Sequence, residues 1–270
     1  MSRQYHLQVA PGDVAPCVLL PGDPGRVPVV DSFWDEATEV ARNREYVTFT
    51  GTYEGVPISC TSTGIGAPST AIALEELARV GATTFLRIGT CGSLQPFAAI
   101  GDVAIFAAAV RADGASALHA PLEYPAGAHH EVLRAAISAA ERLRIRHHVG
   151  TTLSTDLFYV PEPGSAFGGY EQSSWRERWD DVRRANVLAV EMETSVLFVL
   201  ARIWALRAGA VALISDDALE KTEAGAFDPQ ATFEVGPEHV ERVVRVGCET
   251  VRILAEAGGQ LPAPEKAAVP

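Results

Sequence analysis

ISCTSTGIGAPSTAIALEELARVGATTFLRIGT, Ile58–Thr90, decides the fold. Ile58–Gly64, ISCTSTG, is a short run of β-forming residues that ends in glycine. Gly64–Thr70, GIGAPST, is a tight turn. Pro68–Ala82 has the composition and spacing of a helix, with Ser69 as its cap and Gly81 as its stop. Thr84–Thr90 is a second apolar strand. Strand, helix and strand in close succession make the unit from which α/β sheets are wound.

The same alternation extends outward. Cys17–Gly22, Asp102–Val110 and Ala210–Asp216 read as strands, and Glu131–Arg144, Met192–Ala205 and Glu238–Ala257 as helices. Several of the strands are apolar on both faces, as in a sheet covered on both sides. The expectation is an α/β protein with one domain over residues 1–258. Its central sheet is mixed, mostly wound and flanked by helices. Val160–Ser174, rich in Gly, Pro and Ser, is a long loop of the kind that serves as a lid or substrate loop. Residues 259–270 are expected to form a disordered tail.

The 270 residues are 47% hydrophobic and 21% charged, as in ordinary globular proteins. A net charge of −12 argues against a nucleic-acid partner, which requires a basic footprint. It leaves room for a small anionic substrate held by a few arginines. The opening residues MSRQYHLQVAPGD hold no apolar core of signal-peptide length, and no run approaches a membrane span. Cys17, Cys60, Cys91 and Cys248 are scattered without a CxxC pair. Reduced thiols and a cytoplasmic location are expected.

Ligands of open α/β sheets sit at the carboxyl ends of the strands. Four such ends carry polar clusters: PGDPGR after Leu20, RIGTCGS from Arg87, EMET from Glu191 and SDD from Ser215. Two combine glycine with arginine, which suits an oxyanion: glycine admits close backbone approach, and the guanidinium offers a two-pronged donor. Arg87 lies inside an apolar strand and must have a partner. Glu191 and Glu193 stand in the apolar run Val187–Ala201 and lose hydration that something must replace. GIGAPST lacks the GxGxxG spacing of a dinucleotide site, which disfavours an NAD-dependent enzyme.

LLPGDPGRV, RNREYVTFTGTYEGVPI, the stretch Thr61–Pro96, DGASALHAPLEYPA, STDLFY, AVEMETSVLF and ISDD occur in this order along the chain. Together they resemble the nucleoside phosphorylases of the uridine phosphorylase and hexameric purine nucleoside phosphorylase group. The resemblance implies the nucleoside phosphorylase fold and reversible phosphorolysis of a nucleoside to free base and ribose 1-phosphate. It implies no cofactor, with inorganic phosphate as co-substrate held by Gly22, Arg26, Arg87 and Thr90. Arg44 matches an arginine lent across a dimer interface, and His6 a residue reaching a neighbour's ribose 5′-hydroxyl. A homo-oligomer follows, with a dimer as the smallest active unit and a trimer of dimers as the usual assembly. Glu193 matches the acceptor of the ribose 2′- and 3′-hydroxyls, with Met192 against the sugar and Glu191 beside it. Glu45, Ile65 and Ser69 match positions that bind a monovalent cation, such as K+, in some bacterial uridine phosphorylases.

The base site is mixed. Asp216 matches the acid that purine-cleaving members direct at purine N7, and with Arg87 it heads the catalytic candidates. Uridine phosphorylases carry Asn-Arg there, and a Gln and an Arg after the Phe-Tyr pair. Here Phe158-Tyr159 is followed by VPEPGSAF, with Glu162 near the Gln position. Phe158, Glu162, Ile214 and Asp216 are the base-contact candidates. These residues favour a 6-oxopurine or broad-specificity enzyme. The loop lengths favour uridine phosphorylase, which is the alternative. A hydrolytic nucleosidase and a silent nucleoside-binding protein of the same fold are the further alternatives, the first disfavoured by three phosphate arginines.

Overall fold

A computed structural model describes residues 3–159, 167–170, 172–218 and 236–258. Ten strands pair into one mixed sheet: β1 (Cys17–Leu20), β2 (Glu36–Asn43), β3 (Tyr46–Tyr53), β4 (Val56–Thr61), β5 (Thr84–Ser93), β6 (Val103–Ala112), β7 (Ala126–Gly127), β8 (His147–Thr155), β9 (Ala189–Glu191) and β10 (Arg207–Asp217). The helices are α1 (Val27–Asp31), α2 (Ala67–Arg79), α3 (Gly114–His119), α4 (His130–Arg142), α5 (Ser173–Arg184), α6 (Thr194–Ile203) and α7 (Pro237–Gly258).

The sheet closes on itself. β5 pairs β10 along its whole length and β9 at its end. β10 pairs β6, β6 pairs β8, and β8 pairs β9. These five strands form a ring, and β1, β4, β3 and β2 extend from β5 as a wing. β5 lies between β1 and β10, so Arg87 is level with Leu20 on one side and Ala210 on the other. The ring brings the ends of β1, β5, β8, β9 and β10 to one place.

Both faces are covered, as the apolar strands require. One core packs β-strand residues such as Phe85 and Ala210 against Leu74 and Leu77 of α2 and Leu197 and Phe198 of α6. The other sets Leu86, Ile88 and Val211 against Ala136 of α4 and Val244 and Cys248 of α7. A third, small cluster joins Leu94, Leu153 and Ala218 to Trp179 of α5.

The expected strands and helices all form, with ends shifted by a few residues. Ser69 is a correction: it lies within the first turn of α2, and its hydroxyl bonds back to the Thr63 carbonyl. The cap position belongs to Gly66, at φ +89°, with no side chain to cap with. The helix stop is as read, with Gly81 at φ +109° just beyond Val80. The hairpin β2–β3 and strand β8 carried no strand assignment, because their alternation of polar and half-buried residues is weak. Most of the loop Val160–Ser174 and the whole tail 259–270 lie outside the described residues. Among the described residues no helix is long and apolar enough to cross a membrane. All four cysteines are unpaired and buried.

Candidate active site

The strand ends surround a cavity of about 580 Å³, within the ~300–1,000 Å³ typical of small-molecule sites. Gly22 and Arg26 enter it from the turn after β1, and Arg87, Gly89 and Thr90 from β5. Glu191, Met192 and Glu193 enter between β9 and α6. Asp216 enters from β10, and Leu157 and Phe158 from the segment after β8.

Arg87 is the electrostatic centre. It is 5% exposed. Its Nε donates to Glu191 Oε2 at 3.0 Å, and its Nη2 is 2.6 Å from Glu193 Oε2. Burial works against its charge, but Glu193 and then Glu191 more than offset this, holding its pKa above the ordinary guanidinium value. Gly89 makes room for it: a Cβ there would stand 2.6 Å from Arg87 Cζ. Arg26, by contrast, makes no ion pair among the described residues. Burial and then the nearby Arg87 lower its pKa. Two cations facing one cavity repel each other unless an anion comes between them, and that is the physical basis of an oxyanion site.

The two glutamates differ. Glu191 accepts four donors: Arg87 Nε, Ser154 Oγ at 2.5 Å, and the backbone amides of Glu193 and Thr194 at 2.9 and 3.0 Å. A carboxylate has about four lone-pair sites, so Glu191 is fully engaged. Its expected place among the ribose ligands is therefore corrected: it anchors Arg87 and the first turn of α6. Among the described residues Glu193 takes the Gly66 amide at 2.5 Å and pairs with Arg87, with the Met192 backbone amide as a further donor. Burial is the main cause that raises its pKa, with Arg87 opposing and Glu191 adding to the rise. Its spare acceptor capacity faces the cavity beside Met192, as a reader of a cis-diol requires.

Asp216 is 6% exposed and reaches the cavity through a β-bulge at Ser215. The bulge sets it beside Gly92, where a Cβ would stand 3.0 Å from Asp216 Oδ2. Ser215 Oγ donates to Asp216 Oδ1 at 2.9 Å. Ile214, one residue before the bulge, is wholly buried in the α2/α6 core and does not line the cavity, which corrects its expected base contact. Phe158 does line it and is 43% exposed. Glu162 lies outside the described residues. Cys91 also lines the wall; burial, then Asp216 and Glu191, push its thiol well up, so it is no nucleophile.

His6 and Arg44 do not line this cavity. His6 is held by Glu76, its backbone amide at 3.0 Å and its Nδ1 at 2.8 Å. Its carbonyl accepts from Asn43 Nδ2 at 2.7 Å. Arg44, next to Asn43, is exposed in the β2–β3 turn at φ +54°. The two thus share one edge of the molecule. Glu45, Ile65 and Ser69 meet at the cavity mouth, with Ser69 Oγ 3.1 Å from Glu45 Oε1 and Ile65 77% exposed. His148 is half-buried on Asp102 at 2.8 Å, and His129 Nδ1 accepts from the Glu131 amide at the start of α4.

Trp179 lines the cavity and lies outside every motif, while Thr155 and Leu157 line it from within STDLFY without having been singled out. Trp179 was legible: Trp175, Trp179 and Val182 are the apolar residues of the otherwise polar SSWRERWDDVRR, at helical spacing.

The family model described as "Phosphorylase superfamily" matches residues 16–248. Uridine phosphorylase of Thermococcus kodakarensis is 50% identical over 253 residues, 94% of this chain and 87% of that protein. Guanosine phosphorylase of Halorubrum lacusprofundi is 39% identical over 254 residues, 94% of this chain and 100% of that one. Uridine phosphorylase of Escherichia coli is 40% identical over 214 residues, 78% and 85% of the two chains. Most of the chain, including every strand end around the cavity, falls within these matches, and the protein belongs to the nucleoside phosphorylase family of the phosphorylase superfamily.

Proposed function

We propose that the protein catalyses the reversible phosphorolysis of uridine to uracil and ribose 1-phosphate. The observation that carries the base assignment is the 50% identity, over 94% of the chain, to a relative named uridine phosphorylase. That identity reverses the order of the two base readings drawn from the sequence. Guanosine or another 6-oxopurine nucleoside is the second reading. It is favoured by Asp216 at the cavity wall and by the guanosine phosphorylase relative.

Phosphate binds between Arg26 and Arg87, with the Gly22 turn and Thr90 completing its cradle. Glu193 accepts the ribose hydroxyls and Met192 packs on the sugar, so C1′ faces the phosphate. As the glycosidic bond lengthens, positive charge develops on the sugar, and the held phosphate stabilises it. A phosphate oxygen bonds to C1′, and the electron pair of the C1′–N bond leaves with the base. The base then takes a proton to become neutral.

Arg44 and His6 lie on a shared edge outside the cavity, which suits donation to a neighbour's site. A dimer is the smallest complete unit on this reading, and three dimers form the assembly. Glu45, Ile65 and Ser69 form the K+ position. The unpaired thiols suit a reducing cytoplasm.

Base release from uridine, inosine, guanosine and adenosine, each with and without phosphate, tests the reading. Phosphate-dependent uracil release supports it. Purine release alone installs the second reading, and release independent of phosphate makes the protein a hydrolase.

A further inference from the structure

Behind Glu191 runs a line of buried side chains that the reaction does not touch. Ser154 Oγ donates to Glu191 Oε1. The same oxygen accepts the Ser195 amide at 3.0 Å. Ser195 Oγ donates to Asp113 Oδ2. Asp113 caps α3, taking the Ser116 amide at 2.5 Å and the Ser116 hydroxyl at 2.7 Å. Ser154, Ser195 and Ser116 are wholly buried and Asp113 is 4% exposed. We propose that Ser154, Ser195 and Asp113 are positioning residues for phosphate, acting through Glu191 on Arg87.

The direction of each bond is determined. An amide can only donate, so the Ser195 amide makes Ser154 Oγ an acceptor on that side and sends its proton to Glu191. Asp113 likewise takes the Ser195 hydroxyl proton. The line joins β8, β9, α6 and α3 to the one guanidinium on β5. Glu191 holds Arg87 by Nε alone, and Nη2 goes to Glu193. Nη1 makes no bond among the described residues, so the orientation of Nε decides where Nη1 points.

Apolar packing would stabilise this region at least as well as a buried polar line. What the line adds is geometry. With Ser154 removed, Glu191 loses the donor on Oε1 that is neither backbone nor Arg87, and its carboxylate can turn with Arg87 attached. Glu193 keeps its own donor, the Gly66 amide. The loss therefore falls on phosphate, and at saturating phosphate, where the Arg87–Glu193 pair is drawn apart as in the wild type, it spares the nucleoside. The inference rests on the phosphorolysis reading for its meaning, but phosphate affinity reads it directly.

The test compares the full-length wild type with Ser154→Ala and Ser195→Ala. It uses initial rates against both substrates, and a phosphate titration followed by thermal shift without nucleoside. Ser154→Ala is expected to raise the phosphate KM and the phosphate Kd about tenfold, the effect of one misaligned charge-assisted bond, with nucleoside KM within about twofold. Ser195→Ala keeps its amide and is expected to give a smaller rise of the same kind, so it serves if Ser154→Ala fails to fold. Phosphate Kd within twofold of wild type in both variants overturns the proposal, as does an equal rise in both KM values. A wild type that binds phosphate but releases no base would sink the phosphorolysis reading alone, since the titration still decides the positioning role.

Discussion

Arg87 Nη2 and Glu193 Oε2 stand 2.6 Å apart, so the cation assigned to phosphate and the carboxylate assigned to ribose are one buried ion pair. Each offsets the other's charge. Phosphate that draws the guanidinium towards itself frees the carboxylate for the diol, and a bound diol frees the guanidinium. Binding of the two substrates is therefore coupled, and the coupling is reciprocal. With sulfate as an inert stand-in for phosphate, nucleoside affinity should rise by about fivefold or more. Equal nucleoside Kd with and without sulfate would show that the pair is not shared.

On the proposed reading Glu193→Ala removes the diol acceptor, and it leaves Arg87 anchored by Glu191. Ribonucleoside kcat/KM should fall about 100-fold or more, on the scale of a lost buried hydrogen-bonding site. The 2′-deoxynucleoside, which never used one of the two bonds, should lose less. Parallel losses for both sugars would remove Glu193 from the diol.

Because burial raises the Glu193 pKa, the acid limb of the pH profile should lie above the ordinary glutamate range. Below its raised pKa Glu193 is protonated and accepts poorly, so nucleoside kcat/KM falls as pH drops through that value. The protonated form is favoured by the fold, so this group contributes stability at low pH that is lost as pH rises. Activity and stability therefore move oppositely across the limb. A ribonucleoside profile flat down to the ordinary carboxylate range would contradict the assignment.

Gly89→Ala tests the clamp without removing a charge. The new Cβ would meet Arg87 Cζ and Nη2 at 2.6 Å. A free arginine would swing aside cheaply, but this one is tied at Nε and Nη2. Phosphate KM should rise about tenfold as the guanidinium is displaced from its bonds. Unchanged phosphate kinetics would mean that Arg87 has another position from which it serves equally well.

How much of this was legible in the chain differs by residue. Arg87, Glu191 and Glu193 stood out because charge in an apolar run demands a partner. That they partner one another was hidden, since β5 and β9 meet only through the ring closure. The division of labour between the glutamates was hidden too. It depends on Ser154 and the Gly66 amide, which are distant in sequence and chemically ordinary. Ile214 and Asp216, two residues apart, would share one face of a regular strand, and the bulge at Ser215 sends them to different environments. Strands with apolar faces were visible, whereas β2, β3 and β8 form because neighbours supply their hydrogen bonds.

The base assignment turns on Asp216. If the second reading holds, its carboxyl group meets a purine as N7 gains charge, and Asp216→Asn should cut guanosine kcat/KM by about 100-fold, the usual scale of general acid catalysis. If uridine is the substrate, uracil offers no nitrogen in the place of N7. Asp216 then shapes the wall that it shares with Ser215 and Gly92. The same variant should keep uridine kcat/KM within about threefold, since asparagine preserves the shape and still accepts the Ser215 hydroxyl. A large uridine loss would make Asp216 part of the uracil site itself, and the identity of the base would then be set from β10.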